Sequence, residues 1–167
     1  WKQTRPFARH ALGENAKCDA GYLEYNPEKA KALVADYGKP VNIEMIHTTT
    51  PRGREFGEIL QQMLKGVGMK LKLVPVDQNT LVKKVFTNDY MISGWRISDT
   101  GDVGSQLFAL SFSKSSYNLT RLKTPELDKI AMAMRTAPTP QARAKGLCDL
   151  SRAINQEANM GFRGGNR

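Results

Sequence analysis

"VNIEMIHTTTPRGREFGEILQQMLKGVGMKLKLVPV", residues 41–76, is the stretch that decides the fold. Val41 to Ile46 alternates apolar and polar side chains, the period of a half-buried strand. Phe56, Ile59, Leu60, Met63, Leu64 and Val67 then recur at i, i+3, i+4, i+7 and i+8, one apolar stripe on a helix. Gly66 and Gly68 stop that helix. Met69 to Val76 is apolar and β-branched enough for a second strand, and Pro75 lacks a ladder donor, which places that strand's end at a sheet edge. A strand, a helix and a strand in so short a stretch predict a βαβ unit with parallel strands and a right-handed crossover.

Outward from this unit, helices dominate. Toward the N-terminus, Asn26 caps and Pro27 opens a helix with Ala30, Leu33, Val34 and Tyr37 on one face, stopped by Gly38. Toward the C-terminus the pattern predicts a short helix at 79–87, a strand at 90–95, a Gly/Ser/Asp loop at 98–105 and a short helix at 105–111. Two long helices follow. Thr124-Pro125 caps one, with Leu127, Ile130, Ala131 and Met134 inward; Thr139-Pro140 caps the other, with Leu147, Leu150, Ile154 and Ala158 inward. The fold class is α/β, a small mostly parallel sheet flanked by helices. It forms a single compact domain over 26–160, with an irregular lead-in at 1–25 and a turn-rich tail at 161–167.

Composition narrows the function. The 167 residues carry 25 Lys+Arg against 16 Asp+Glu, a net charge of +9, but the basic residues come in pairs and never in runs. That is a mildly basic solvated surface; a nucleic-acid binder would need a basic helix or an aromatic sheet face. No apolar stretch reaches the roughly 18 residues of a membrane span. His10 and His47 are the only histidines, so no metal cluster is legible. Neither a nucleophile elbow nor a phosphate-cradling loop is present, and Gly66-Val67-Gly68 follows a helix instead of opening one. No catalytic residue and no cofactor is expected. Asn118-Leu119-Thr120 fits a glycosylation tripeptide, a pattern that chance supplies easily. Cys18 and Cys148 lie outside any C-x-x-C pattern; they are either a disulfide closing a long loop or two separate thiols.

The order of features resembles a known family. "YNPEKAKALVADYG" (25–38), "EFGEILQQMLKGVGMKLKLVPVD" (55–77), "NDYMISGW" (88–95), "NLTRLKTPELDKI" (118–130) and "QARAKGLCDLSRAINQEA" (141–158) resemble the second lobe of family 5 periplasmic solute-binding proteins. These are receptors of dipeptide and oligopeptide ABC importers. The resemblance implies a two-lobed clamshell that closes on a small solute, a peptide first, and delivers it to an inner-membrane permease without chemistry. It implies a periplasmic location, no nucleic-acid partner and no membrane insertion by this chain. The start at Trp1 and the tail at 161–167 fit an excised second lobe, cut near both hinge crossovers, with the first lobe absent.

The ligand-facing candidates follow from strand ends and from the family pattern. Ligands meet an open parallel sheet at its carboxyl edge, which selects Thr48 to Arg54 and Gly94 to Asp102. Trp95, after Gly94, matches the family's Trp and suits an apolar wall against a side chain or peptide plane. The resemblance implies that Asp99, with Asp102 as its neighbour candidate, accepts a peptide α-ammonium. The Trp-to-Asp spacing is one residue longer than in many relatives, and Val103 stands where Pro often follows. Those departures keep a modified peptide, a sugar or a metal chelate open as ligand. Thr48, Thr49 and Arg52 precede a helix N-terminus, which suits either a carboxylate or ordinary capping. Arg96 would meet a carboxylate bidentately or lie at the surface. Asn118 is expected in a turn, and Asp128 in the first turn of its helix.

Overall fold

The computed structural model describes residues 18, 21, 23–95, 102–158 and 160. Contacts divide the chain into two compact units, one of Glu24–Ile97, the other of Trp1–Leu23 together with Ser98–Arg167.

The first unit holds the βαβ core. Its elements are α1 (Pro27–Tyr37), β1 (Asn42–Thr48), α2 (Pro51–Lys65), β2 (Lys70–Val76), α3 (Gln78–Phe86) and β3 (Ile92–Ser93). The sheet is parallel throughout, in the order β2-β1-β3. Asn42 pairs with Lys70 and the register runs to Thr48 opposite Val76. Pro75 lies on β2, an edge strand, so its missing N–H leaves no gap in the ladder. In β1, by contrast, Met45, Ile46 and His47 are buried in succession. Successive strand residues point to opposite faces, so both faces of the central strand are covered, as parallel sheets require. The Nδ1 of buried His47 lies 2.9 Å from the Thr48 carbonyl oxygen. A carbonyl only accepts, so Nδ1 carries the proton.

Local signals explain most boundaries. Asn26 accepts the Lys29 N–H at 2.8 Å, Pro27 opens α1, and Gly38 closes it at φ 67°. Two expectations needed correcting here. α1 buries none of its residues, and Leu33 and Tyr37 stay 60% and 63% exposed. The predicted strand at 90–95 contracts to Ile92–Ser93, paired with Met45 and Ile46. The cause lies in the turn before it. Asn88 adopts φ 60°, while Asp89 donates its N–H to the Lys84 carbonyl and binds the Lys84 ammonium. These bonds hold the chain against the end of α3, so pairing starts late.

The second unit contains α4 (Val103–Ser111), α5 (Pro125–Arg135) and α6 (Pro140–Glu157). Leu107, Phe108, Leu127, Ala131, Met134, Leu147, Leu150 and Ile154 form its core. Those side chains recur at helical spacing, which is why the inner faces were legible. Ala158, expected inward, is instead the exposed left-handed C-cap of α6. Thr139 caps α6 through the Ala142 N–H at 3.1 Å, but Thr124 makes no side-chain cap bond. Asp128 reaches beyond its own helix as well: its carboxylate accepts the Ser113 N–H at 2.7 Å and the Ser113 hydroxyl, pinning the chain after α4 to α5. Asn118 is buried in the intervening turn, donating to the Leu122 carbonyl at 2.7 Å and accepting from Thr120. An amide so buried and so bonded is no glycan acceptor in the folded chain.

Cys18 and Cys148 are joined in a disulfide across 130 positions. The bond links the two stretches of chain that make up this unit. Among the described residues no helix is long and apolar enough to cross a membrane.

Candidate functional site: the carboxyl edge of the sheet

The chain runs from β1 outward to β2, then crosses back over β1 to form β3. The direction of winding therefore reverses between β1 and β3. At such a switch point the loops leave the carboxyl ends in opposite directions and open a crevice. Thr48 ends β1, and Gly94 and Trp95 follow β3 on the same edge. The Gly94 N–H still reaches the Ile46 carbonyl, at 3.4 Å, so the chain stays beside β1 up to Trp95.

Trp95 is partly exposed and packs edge-on against Phe86 of α3, ring centroids 6.0 Å apart at 76°. Such a T-shaped contact fixes the indole while leaving one side to solvent. The result is an exposed apolar surface at the carboxyl edge. Val82 precedes Phe86 by one helical turn and is also exposed, which widens the apolar strip.

The three threonines have divided roles. α2 begins at Pro51, earlier than the sequence suggested, because Thr50 and Pro51 form the same Thr-Pro opening that starts α5 and α6. Thr50 Oγ1 accepts the Gly53 N–H at 3.2 Å and lies 2.9 Å from Thr48 Oγ1. Thr50 is thus the cap, and Thr48 braces it. Thr49 is exposed. Arg52, expected ahead of the helix, is instead within its first turn, exposed. Gly53 is required here: a Cβ at this position would fall 2.6 Å from the Thr48 carbonyl oxygen, and closer still to Thr48 Oγ1. Gly53→Ala is expected to destabilise by about 1–2 kcal/mol by overpacking, although Ala is the better helix former. Urea unfolding measures the loss, and shifted Thr48 and Trp95 NMR signals would show that it spreads along the edge.

Asp77, which the sequence reading passed over, ends the third loop on this edge. Its carboxylate caps α3 by accepting the Asn79 and Thr80 N–H groups, both at 3.0 Å, and the Thr80 hydroxyl. These bonds, the Thr80 hydroxyl foremost, hold its pKa below the ordinary carboxylate value. Asp followed three residues later by Thr, just before Leu81, was the available signal.

Asp102 belongs to the other unit. It caps α4 by accepting the Ser105 N–H at 3.1 Å and the Ser105 hydroxyl at 2.6 Å, and Arg143 Nη2 reaches both carboxylate oxygens, at 3.1 and 2.9 Å. The Ser105 bonds, then the Arg143 pair, lower its pKa. This carboxylate is engaged within its own unit. Arg96 and Asp99 lie outside the described residues. Among the described residues no group of acids, histidines and cysteines could hold a metal ion.

Comparison with solved structures agrees on the fold. HbpA2 from Haemophilus parasuis is similar at 25% identity and a TM-score of 0.71, over 83% of this chain and 31% of that one. The Escherichia coli murein tripeptide binding protein MppA gives 19% and 0.72, over 89% and 32%. MoaA from A. tumefaciens R10, in complex with mannopinic acid, gives 20% and 0.74, over 84% and 30%. The chain thus spans about a third of the length of each of these proteins. No curated protein matches it in sequence. Residues 2–118, which include the whole carboxyl edge, match the model described as bacterial extracellular solute-binding proteins, family 5 middle. The parallel sheet, its switch-point edge and this match over more than half the sequence place the chain in one family: it belongs to the bacterial extracellular solute-binding proteins, family 5.

Proposed function

We propose that this chain is one ligand-binding lobe of a periplasmic receptor that captures a small solute by lobe closure and hands it to an inner-membrane ABC permease. The carrying observation is the family match over residues 2–118, which contains both loops of the switch-point edge. Trp95 supplies the apolar wall. Asp99, four residues on, is the proposed acceptor of a peptide α-ammonium, because the alternative carboxylate, Asp102, is engaged by Ser105 and Arg143. Gly94 lets a ligand approach the strand end, Thr48, Thr49 and Arg52 rim the same edge, and Arg96 is a candidate by its position in sequence after Trp95. Peptide is favoured as the solute, because the similar Escherichia coli MppA is a murein tripeptide binding protein. A non-peptide solute is the second reading, favoured by the MoaA complex with mannopinic acid.

The test is the small-molecule content of the full-length receptor, purified natively and read by mass spectrometry after denaturation. Peptides released from the wild type and lost on Asp99→Ala are the expected result. A sugar conjugate or a chelate would move the assignment to the second reading. The 167-residue chain alone should bind peptide feebly, because half of a closing site is missing. A dissociation constant below about 1 μM by calorimetry would overturn the half-site reading.

A further inference from the structure

The second unit carries a cleft of its own, separate from the sheet edge. It lies between α4, the segment 112–116 and the facing ends of α5 and α6, with a volume of about 520 Å³, within the range of small-molecule sites. Its apolar lining includes Phe112, half-buried, which stacks on the core residue Phe108, centroids 4.8 Å apart at 21°. Its rim carries Lys114, Arg135 and Arg143, with no acidic side chain among the lining residues.

The three cations are not equally occupied. Arg143 is tied to Asp102 through Nη2 alone, so this charge is compensated. Arg135 stands over the Phe108 ring, its Cζ 4.5 Å from the centroid. That contact uses the face of the guanidinium and leaves its in-plane N–H donors for a ligand. Lys114 makes no ion pair or hydrogen bond with any described residue and is exposed. Ser116 adds a hydroxyl beside Lys114. Two uncompensated positive charges in a cleft lined by the half-buried Phe112 match one ligand chemistry. In a partly enclosed cleft their field is focused more than on an open surface.

We infer that this cleft is a second binding site, taking a small organic anion whose carboxylate meets Arg135 and Lys114 while its apolar body lies against Phe112. The inference stands apart from the sheet-edge reading, since none of its residues belongs to the other unit.

The experiment is calorimetric titration of the 167-residue chain with benzoate, inorganic phosphate and benzyl alcohol. Benzoate should bind saturably, phosphate more weakly, and uncharged benzyl alcohol not at all. Lys114→Gln with Arg135→Gln should weaken benzoate about tenfold, and Trp95→Ala should leave it unchanged. Lys114 is exposed and makes no ion pair or hydrogen bond with a described residue, so Lys114→Gln alone should leave the urea midpoint unchanged while weakening benzoate about threefold. Absence of saturable benzoate binding would overturn the site, as would binding indifferent to both cation variants. Loss on Trp95→Ala would instead place benzoate at the sheet edge. Phosphate binding as tightly as benzoate would overturn the role given to Phe112.

Discussion

Reduction of the Cys18–Cys148 bond is expected to lower the stability of the chain by about 4 kcal/mol, in the upper part of the range for native disulfides. The bond spans 130 positions, and in the chain-entropy account the denatured-state freedom it removes grows with the logarithm of that loop. Its placement adds to the effect. The second unit is assembled from two stretches of chain separated by the whole of the first unit. Without the cross-link, the N-terminal stretch must return to α6 across that separation on noncovalent contacts alone. Urea unfolding with and without reductant, repeated on Cys18→Ser/Cys148→Ser, checks the value. The m-value should rise on reduction, because an uncross-linked denatured chain exposes more surface. A stability change under about 1 kcal/mol would show that the bond does not hold the unit together.

Gly146→Val should cost about 3 kcal/mol, near the top of the overpacking range. Gly146 sits within α6 where it crosses α5, and a Cβ there would lie 2.8 Å from Met134 Cα and 2.9 Å from Met134 Cβ. The obstructing atoms belong to a backbone that cannot swivel aside, so the two helices must separate. Met134, Leu147 and Leu150, all buried at this crossing, would then lose contact together. Gly146→Ala tests the sign of the argument. Propensity favours Ala by up to about 1 kcal/mol in a helix interior, yet the same 2.8 Å approach should leave the variant less stable than the parent. A stabilised Gly146→Ala protein, measured by thermal or urea unfolding, would show that the helices yield at no cost.

Acid should weaken the second unit through Asp102. Its folded pKa is lowered by the Ser105 bonds and the Arg143 pair, so it contributes stability above its ordinary value near 3.8 and loses it as pH falls through the lower folded value. The group is half-exposed, so the contribution is small.

The sequence by itself determined the elements and their broad arrangement. Thr-Pro and Asn-Pro pairs located three helix starts, because a side-chain cap or a fixed φ acts within one turn of chain. Apolar periodicity located the inner faces of α5 and α6, and Pro75 placed β2 at an edge. The quoted segments also carried the family, whose model covers residues 2–118. Only the tertiary structure decided what depends on contacts distant in sequence. The strand order, and with it the switch point beside Thr48 and Trp95, depends on which side of β1 the third strand pairs. Asp102 reads from sequence as a free loop carboxylate; Arg143, 41 positions away, occupies it. Cys18 and Cys148 were undecided until the fold brought them together. The placement of Arg135 over the Phe108 ring had no local signature, since helical spacing predicts that residues share a face and not which charge will stand over them.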